Sequence, residues 1–279
     1  MNEFQSALDF TTDSLRKLSE NGSNLRGSRE SLSRLAAARP KPAPAPKPVP
    51  VAAPPATKLP PLSPPPSEVF PTTGATKAER IEQLRAAVAP CVKCPNLART
   101  RTQTVFGVGN IDARIMFVGE APGADEDLAG EPFVGKAGQL LTKIIKTMGL
   151  KRSDVFIANV LKCRPDMPPG SSGNRRPTTT EMQTCLPYLR AQIEAIKPSV
   201  LVALGAVAME GLLGTVEPMG RLRGKWHEFQ GIPLMATYHP AYLLRNQSLG
   251  EKRKVWEDML LVMERVGLAI SEKQRRYFT

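Results

Sequence analysis

From about residue 78 onward, short apolar runs alternate with longer segments whose apolar residues recur at helical spacing. The predicted strands are Ile115–Val118, Val155–Asn159, Val200–Leu204 and Leu234–Tyr238. The predicted helices are Ala78–Ala89, Lys136–Met148, Thr179–Ile196, Ala206–Leu213 and Glu251–Val266. Because strands that alternate with helices pair in parallel, this order predicts an α/β fold whose mostly parallel sheet is covered on both faces.

The first 76 residues lack this alternation. Residues 1–39 are polar with weak helical periodicity, and we predict a tail whose few apolar residues either dock an unknown protein partner or form a fluctuating helix. Residues 40–76 carry the chain's proline enrichment, with 14 of its 27 prolines between Pro40 and Pro71. Proline removes a backbone donor and blocks both helix and sheet, so this segment is predicted to be a disordered linker. The folded domain is expected over residues 77–279.

The chain is strongly basic, with a formal net charge of +12 and a pI of about 9.8. The excess extends into the folded part, because residues 81–279 carry 27 Lys and Arg against 19 Asp and Glu, a net charge of +8. Such an excess favours a polyanionic partner, since Lys and Arg displace the counterions of phosphate backbones. Charge alone fits a protein without a nucleic-acid partner equally well.

The sequence has neither a secretory signal pattern nor an apolar stretch long enough to span a bilayer, which predicts a cytoplasmic protein with no membrane association. Its four cysteines are then expected to be reduced. Cys91 and Cys94 form a CxxC pair, whereas Cys163 and Cys185 stand alone. If all four share one site, it suits tetrahedral zinc or an iron–sulfur cluster, and the spacing does not choose between them. Four unrelated buried thiols are the alternative.

Unusual residues follow the predicted strands, where parallel sheets place their sites. The first strand runs into the turn GEAPGADED, which contains Glu120 and Ala121 and is either an acidic loop or a close approach to a ligand. Phe133 lies in the next loop, as a core residue or as a stacking surface for a base. The second strand ends at Asn159, which either forms a turn or reads the edge of a nucleobase. His239, one of only two histidines, follows the last strand.

The segment after His239 reads AYLLRN and has two interpretations. Its apolar residues, including Leu244, are able to form a wedge that enters duplex DNA beside Arg245. Alternatively, the segment is the start of a helix with leucines in the core.

Taken together, these residues resemble the type-four uracil-DNA glycosylases, the iron–sulfur branch of the uracil-DNA glycosylase superfamily. The resemblance covers about residues 78–266, and its motifs occur in the expected order. They are GEAPGADED, EPFVGKAGQLL, IANVLKCRP, SVLVALGAVA, GKWHEF and YHPAYLLRN. Residues 1–76 and a longer segment between Cys163 and Cys185 depart from the family pattern.

The resemblance implies a three-layer α/β/α sandwich with a [4Fe–4S] cluster held by Cys91, Cys94, Cys163 and Cys185. It also implies that Phe133 stacks on an extrahelical uracil, that Asn159 reads its polar edge and that the backbone at Ala121 faces a uracil carbonyl. Glu120 and His239 are the implied catalytic residues, and Leu244 and Arg245 the implied contacts to DNA.

The resemblance further implies a monofunctional hydrolase of base excision repair. It removes uracil from single- or double-stranded DNA and leaves an abasic site, and we expect it to be a monomer. One rival hypothesis is a non-catalytic iron–sulfur module that binds DNA or associates with a polymerase. Another is a glycosylase for other deaminated bases, such as hypoxanthine or xanthine.

Overall fold

The computed structural model describes residues 69–167 and 173–278. The predicted tail and most of the predicted linker lie outside the described residues. The middle of the long segment between Cys163 and Cys185 also lies outside them. The first described residues pack on the domain, where Phe70 donates its N–H to the Pro187 carbonyl (3.2 Å) and its ring lies 5.0 Å from that of Tyr188.

The centre of the fold is a six-stranded sheet with the order β1-β3-β2-β4-β6-β5. Its strands are β1 (Val108–Gly109), β2 (Ile115–Gly119), β3 (Phe156–Asn159), β4 (Val200–Leu204), β5 (Trp226–Phe229) and β6 (Ile232–Thr237). The four central strands run parallel, whereas β1 and β5 pair antiparallel at the two edges. The mostly parallel sheet predicted from the sequence is therefore confirmed.

Helices cover both faces of this sheet. They are α1 (Lys77–Val88), α2 (Pro95–Thr100), α3 (Ala124–Ala129), α4 (Lys136–Thr147), α5 (Thr179–Ile196), α6 (Ala206–Leu213), α7 (Met219–Leu222), α8 (Pro240–Arg245), α9 (Leu249–Arg265) and α10 (Glu272–Arg275). One apolar core joins the sheet to α1, α5 and α6, and a second joins its other face to α4 and α9. The predicted α/β fold with a helical layer on each face is confirmed.

The connections reverse direction at β2, which lies between β3 and β4. The chain leaves β2 for β3 on one side and later reaches β4 on the other side. In open parallel sheets, such a reversal opens a crevice beyond the carboxyl ends of the strands. The residues that follow β2, β3 and β6 therefore meet at one edge of the sheet.

The structure adds elements that the hydrophobic pattern did not predict. The edge strand β1 has only two residues, and β5 is largely exposed, so neither carries a continuous apolar run. The second half of GEAPGADED, expected as a turn, forms α3. The segment after His239, for which a helix start was one of two interpretations, forms α8. Among the described helices, none is long and apolar enough to cross a membrane.

Candidate active site

Three predicted site residues meet at the end of β2. A Cβ placed on Gly119 would overlap both the Asn159 amide oxygen and the Phe133 ring, so these two side chains enclose the space that glycine leaves open. The Phe133 and His239 rings lie 5.6 Å apart between centroids. Glu120 and Ala121 follow directly, and the Glu120 carbonyl accepts the Leu161 N–H (3.1 Å). The structure therefore brings Glu120, Ala121, Phe133, Asn159 and His239 together.

Asn159 is buried, with 2% of its surface exposed, and its Oδ1 has no hydrogen-bond partner within the described part of the chain. An unpaired buried acceptor is costly, so native structures rarely keep one without a reason. Here the unpaired atom faces the gap beside Gly119. The arrangement provides an acceptor aimed at a ligand that donates a hydrogen bond.

A buried lysine fixes the backbone of Asn159. Lys162 Nζ donates to the Asn159 carbonyl (2.8 Å) and to Gln192 Oε1 (2.7 Å), and Gln192 in turn donates to the Phe106 carbonyl (2.9 Å). Burial lowers the pKa of Lys162 to about 8. Lys162 was not predicted as a site residue, because nothing in the sequence pattern shows that a lysine three residues after a strand will be fully buried.

His239 begins α8, and its Nδ1 accepts the Ala241 N–H (3.1 Å). Burial, reinforced by the charge of Arg245, lowers the pKa of His239 to about 4. The imidazole is therefore neutral near pH 7, and its single ring proton lies on Nε2 because Nδ1 is an acceptor. The residue provides an uncharged N–H donor.

The strand that leads to His239 ends in a buried polar group. Thr237 donates its hydroxyl to Asp258 on α9 (2.7 Å), and Arg223 donates to both oxygens of the same carboxylate (2.8 and 3.1 Å). Burial raises the pKa of Asp258 to about 6. These bonds tie β6 to α9 two residues before His239.

Glu120 is half-buried, and burial raises the pKa of its carboxyl above the usual range, while the charge of Arg176 opposes that rise. Arg176 also pairs with the largely buried Glu210 on α6. Arg176 lies on the long segment between Cys163 and Cys185, and the sequence did not reveal that this segment lies near the turn after β2.

The four cysteines line one small cavity. Arg101 donates to Cys163 Sγ (3.0 Å), the Lys162 N–H to Cys185 Sγ (3.2 Å) and the Tyr188 hydroxyl to Cys91 Sγ (3.6 Å). Burial raises the pKa of the Cys94 and Cys163 thiols, and that of Cys185 to about 12. A positively charged occupant is therefore needed to hold them as thiolates.

These cysteines are not gathered around a single point. Within residues 69–167 and 173–278, no three His, Cys, Asp or Glu side chains are placed to hold one metal ion. Four thiols around a cavity instead fit a group of several atoms. The all-sulfur ligand set and the N–H donors to sulfur also suit an iron–sulfur cluster.

The two predicted DNA contacts lie on α8, directly after His239. Leu243 is buried in the core, whereas 38% of Leu244 is exposed, and Arg245 is exposed as well. The helix interpretation of this segment is therefore confirmed, with Leu243 in the core and Leu244 at the surface, whereas the DNA wedge stays a prediction. A cavity of about 380 Å³ takes in Leu243 and Leu244, but it is lined by none of Glu120, Phe133, Asn159 and His239.

Comparison with known proteins shows the family to which the chain belongs. The family model of the uracil DNA glycosylase superfamily matches residues 106–260, more than half of the chain. A type-4 uracil-DNA glycosylase of Thermotoga maritima is 45% identical over 66% of this chain and 93% of its own length. One of Archaeoglobus fulgidus is 43% identical over 62% of this chain and 88% of its own length. A DNA polymerase of Bacillus phage SP01 is 29% identical over 50% of this chain, but over only 14% of its own length.

The α/β sheet and the residues at its carboxyl edge define a glycosylase of this fold, and the chain belongs to the uracil DNA glycosylase superfamily. Within that superfamily it is a type-4 enzyme. It hydrolyses the N-glycosyl bond of uracil in DNA, a reaction of base excision repair. The predicted family and activity are confirmed, and the non-catalytic alternative is not supported.

Proposed function

We propose that Glu120, Ala121, Phe133, Asn159 and His239 form the pocket in which an extrahelical uracil is held and cleaved. The observation that carries this assignment is the buried, unpaired Oδ1 of Asn159 beside Gly119 and the Phe133 ring. Uracil presents N3–H as a donor next to O4 as an acceptor, so it pairs with both ends of a carboxamide. Stacking on Phe133 contributes about 1–3 kcal/mol toward the cost of extruding the base.

The chemical step separates charge across the N-glycosidic bond. Negative charge develops on uracil O2, and His239 donates its Nε2–H there, together with the backbone amides around Ala121. Positive charge develops on the deoxyribose, and the Glu120 carboxylate stabilises it or orients the attacking water. Donors that are fixed before the reaction cost no reorganisation, which makes such a pocket effective.

The decisive experiment is release of free uracil from a U·G duplex in EDTA, under multiple turnover. We expect the wild-type protein to release uracil and leave an abasic strand, and a strand broken without free uracil would contradict the assignment. Parallel duplexes with hypoxanthine or xanthine test whether the pocket accepts other deaminated bases.

The acid limb of the pH–rate profile is expected to report the ionisation of the Glu120 carboxyl. Its pKa is raised above 4.5, and only the carboxylate stabilises a cation, so activity falls as pH drops through that raised pKa. His239, with a pKa of about 4, titrates below this limb. We expect Arg176→Ala to move the limb to higher pH, because the Arg176 charge favours the carboxylate. Single-turnover rates between pH 4 and pH 8 measure both effects.

The exposed Arg221 provides the matched control, since Arg221→Ala removes the same charge but Arg221 is not among the groups that shift the pKa of Glu120. An acid limb that does not move in Arg176→Ala, or that moves equally in both variants, would contradict the role of Glu120.

We further propose that Cys91, Cys94, Cys163 and Cys185 bind a [4Fe–4S] cluster. The resemblance to the iron–sulfur branch and the cavity shared by all four cysteines support it. When bound, the cluster would cross-link α5 to the segments around α2 and after β3, and it would contribute structure, not chemistry.

Leu244 and Arg245 are proposed to contact the DNA strand that the extruded base leaves.

The domain boundaries remain predictions: a tail over residues 1–39, a linker over residues 40–76 and the enzyme domain over residues 77–279. A cytoplasmic location and a monomeric state also remain predictions.

We expect a protein that begins at residue 69 to excise uracil within a few-fold of the full chain at low salt. A protein that begins at residue 77 loses Phe70 and its contact with Tyr188. We expect it to be less stable by about 1–2 kcal/mol, because Phe70 is half-buried. Denaturant unfolding and excision assays of both proteins test this, and an inactive but folded protein from residue 69 would show that the tail is part of the enzyme.

A further inference from the structure

One carboxylate joins the turn after β2 to the loop that carries Phe133. Glu126 lies in the first turn of α3, and its Oε2 accepts the N–H of Gly123 (3.0 Å). Its Oε1 accepts the N–H groups of Val134 (2.9 Å) and Gly135 (3.0 Å). Three backbone donors from two loops therefore converge on one side chain.

The Phe133 loop needs such support because its backbone is unusual. Phe133 has φ +56°, a left-handed conformation that L side chains rarely adopt. Its carbonyl also approaches Gly138 of α4 so closely that a Cβ at residue 138 would overlap it. A residue in this conformation persists only when its surroundings fix it, and the two N–H groups directly after it both bind Glu126.

The charge of Glu126 also reaches the other side of the pocket. Burial lowers the pKa of His239, and the Glu126 carboxylate opposes that effect. Glu126 therefore lies near Phe133 and His239 without being placed to touch the base, since all three of its bonds go to backbone groups.

We propose that Glu126 is a positioning residue that holds the Phe133 ring in place over the extruded uracil. This inference rests on the stacking role proposed above for Phe133. Without the carboxylate, Val134 and Gly135 lose their shared acceptor, and the Phe133 backbone is free to leave its left-handed conformation. The ring then no longer forms a fixed surface for the base.

A double-mutant cycle tests the inference, because two residues that act through one contact give effects that do not add. The four proteins are the full-length wild type, Glu126→Ala, Phe133→Ala and the double variant. Single-turnover excision of uracil from a single-stranded oligonucleotide is measured for each. We expect Glu126→Ala and Phe133→Ala each to slow excision about tenfold to a hundredfold, and the double variant to be no slower than Phe133→Ala alone.

A conservative variant separates positioning from folding. Glu126→Gln keeps one oxygen for Val134 and Gly135 but turns an amide toward the Gly123 N–H, so its rate should lie between those of the wild type and Glu126→Ala. If Glu126→Ala is insoluble, the cycle is run with Glu126→Gln. Glu228→Ala, on the exposed edge strand β5, removes the same charge elsewhere and should leave the rate unchanged.

The outcomes are distinct. Effects of Glu126→Ala and Phe133→Ala that multiply in the double variant, or a wild-type rate in Glu126→Ala, would overturn the positioning role. A wild-type rate in Phe133→Ala would instead overturn the stacking role of Phe133, and with it the premise of the inference.

Discussion

Asn159→Ala is expected to slow single-turnover uracil excision by about a hundredfold or more, with little change in folding. The side chain is buried and makes no hydrogen bond to the described part of the chain through Oδ1, so its removal costs the fold little. It does leave N3–H and O4 of the bound uracil unpaired, at a cost of about 1–3 kcal/mol for each group. Each 1.4 kcal/mol corresponds to about a tenfold change in rate.

The same residue is expected to set the choice of uracil over cytosine. Cytosine presents an acceptor at N3 and a donor at N4, so both groups are mismatched against an amide held in the uracil orientation. Two mismatches at about 1–3 kcal/mol each supply about 1.5 to 4 decades of discrimination. Asn159→Asp replaces the amide donor with an oxygen. We therefore expect it to depress uracil excision strongly while admitting some removal of cytosine, measured on matched U- and C-containing oligonucleotides.

Asn110 provides the control for these variants. It also follows a strand, β1, but its Oδ1 accepts the Asp112 N–H (2.9 Å), as expected for a turn-forming asparagine. Asn110→Ala should excise uracil at the wild-type rate. If Asn159→Ala does so as well, Asn159 is a turn former too, and base recognition belongs to another strand end.

The sequence predicted the parts of the fold that depend on burial. The four central strands lie under helices on both faces, so each needs a continuous apolar run, and that run is visible in the sequence. The edge strands have no such need, and β5 exposes two of its four residues. The pairing of β1 and β5 depends on backbone bonds at the sheet edges, which leave no hydrophobic signal.

Similar reasoning separates the site residues that were predicted from those that were missed. Glu120, Asn159 and His239 lie at or just after the carboxyl ends of predicted strands. The rule that parallel sheets build sites at these ends places them together. Glu126 and Lys162 act on backbone groups, and their partners are fixed only once the chain has folded. The left-handed backbone of Phe133 likewise has no signature in the sequence, since glycine, not phenylalanine, usually marks such a position.

Loss of the proposed [4Fe–4S] cluster is expected to have the largest effect on the protein itself. The four cysteines belong to the segment between α1 and α2, to the segment after β3 and to α5, so one bound group joins three parts of the chain. In Cys163→Ala the proposed cluster would have only three ligands. The remaining thiols then return to a cavity where burial raises the pKa of Cys94 and Cys185.

We therefore expect purified wild-type protein to be brown, with a broad absorption band near ~400 nm, and Cys91→Ala or Cys163→Ala to lose the colour and most of the soluble yield. A loss of several kcal/mol in the free energy of unfolding corresponds to a drop in melting temperature of roughly 10 °C or more, at about 2–4 °C for each kcal/mol. Thr184→Ala is the control, because Thr184 lines the same cavity but contributes no sulfur. Colourless wild-type protein with one zinc per chain would disprove the cluster while leaving the glycosylase intact. Colour that survives in Cys163→Ala would instead remove Cys163 from the ligand set.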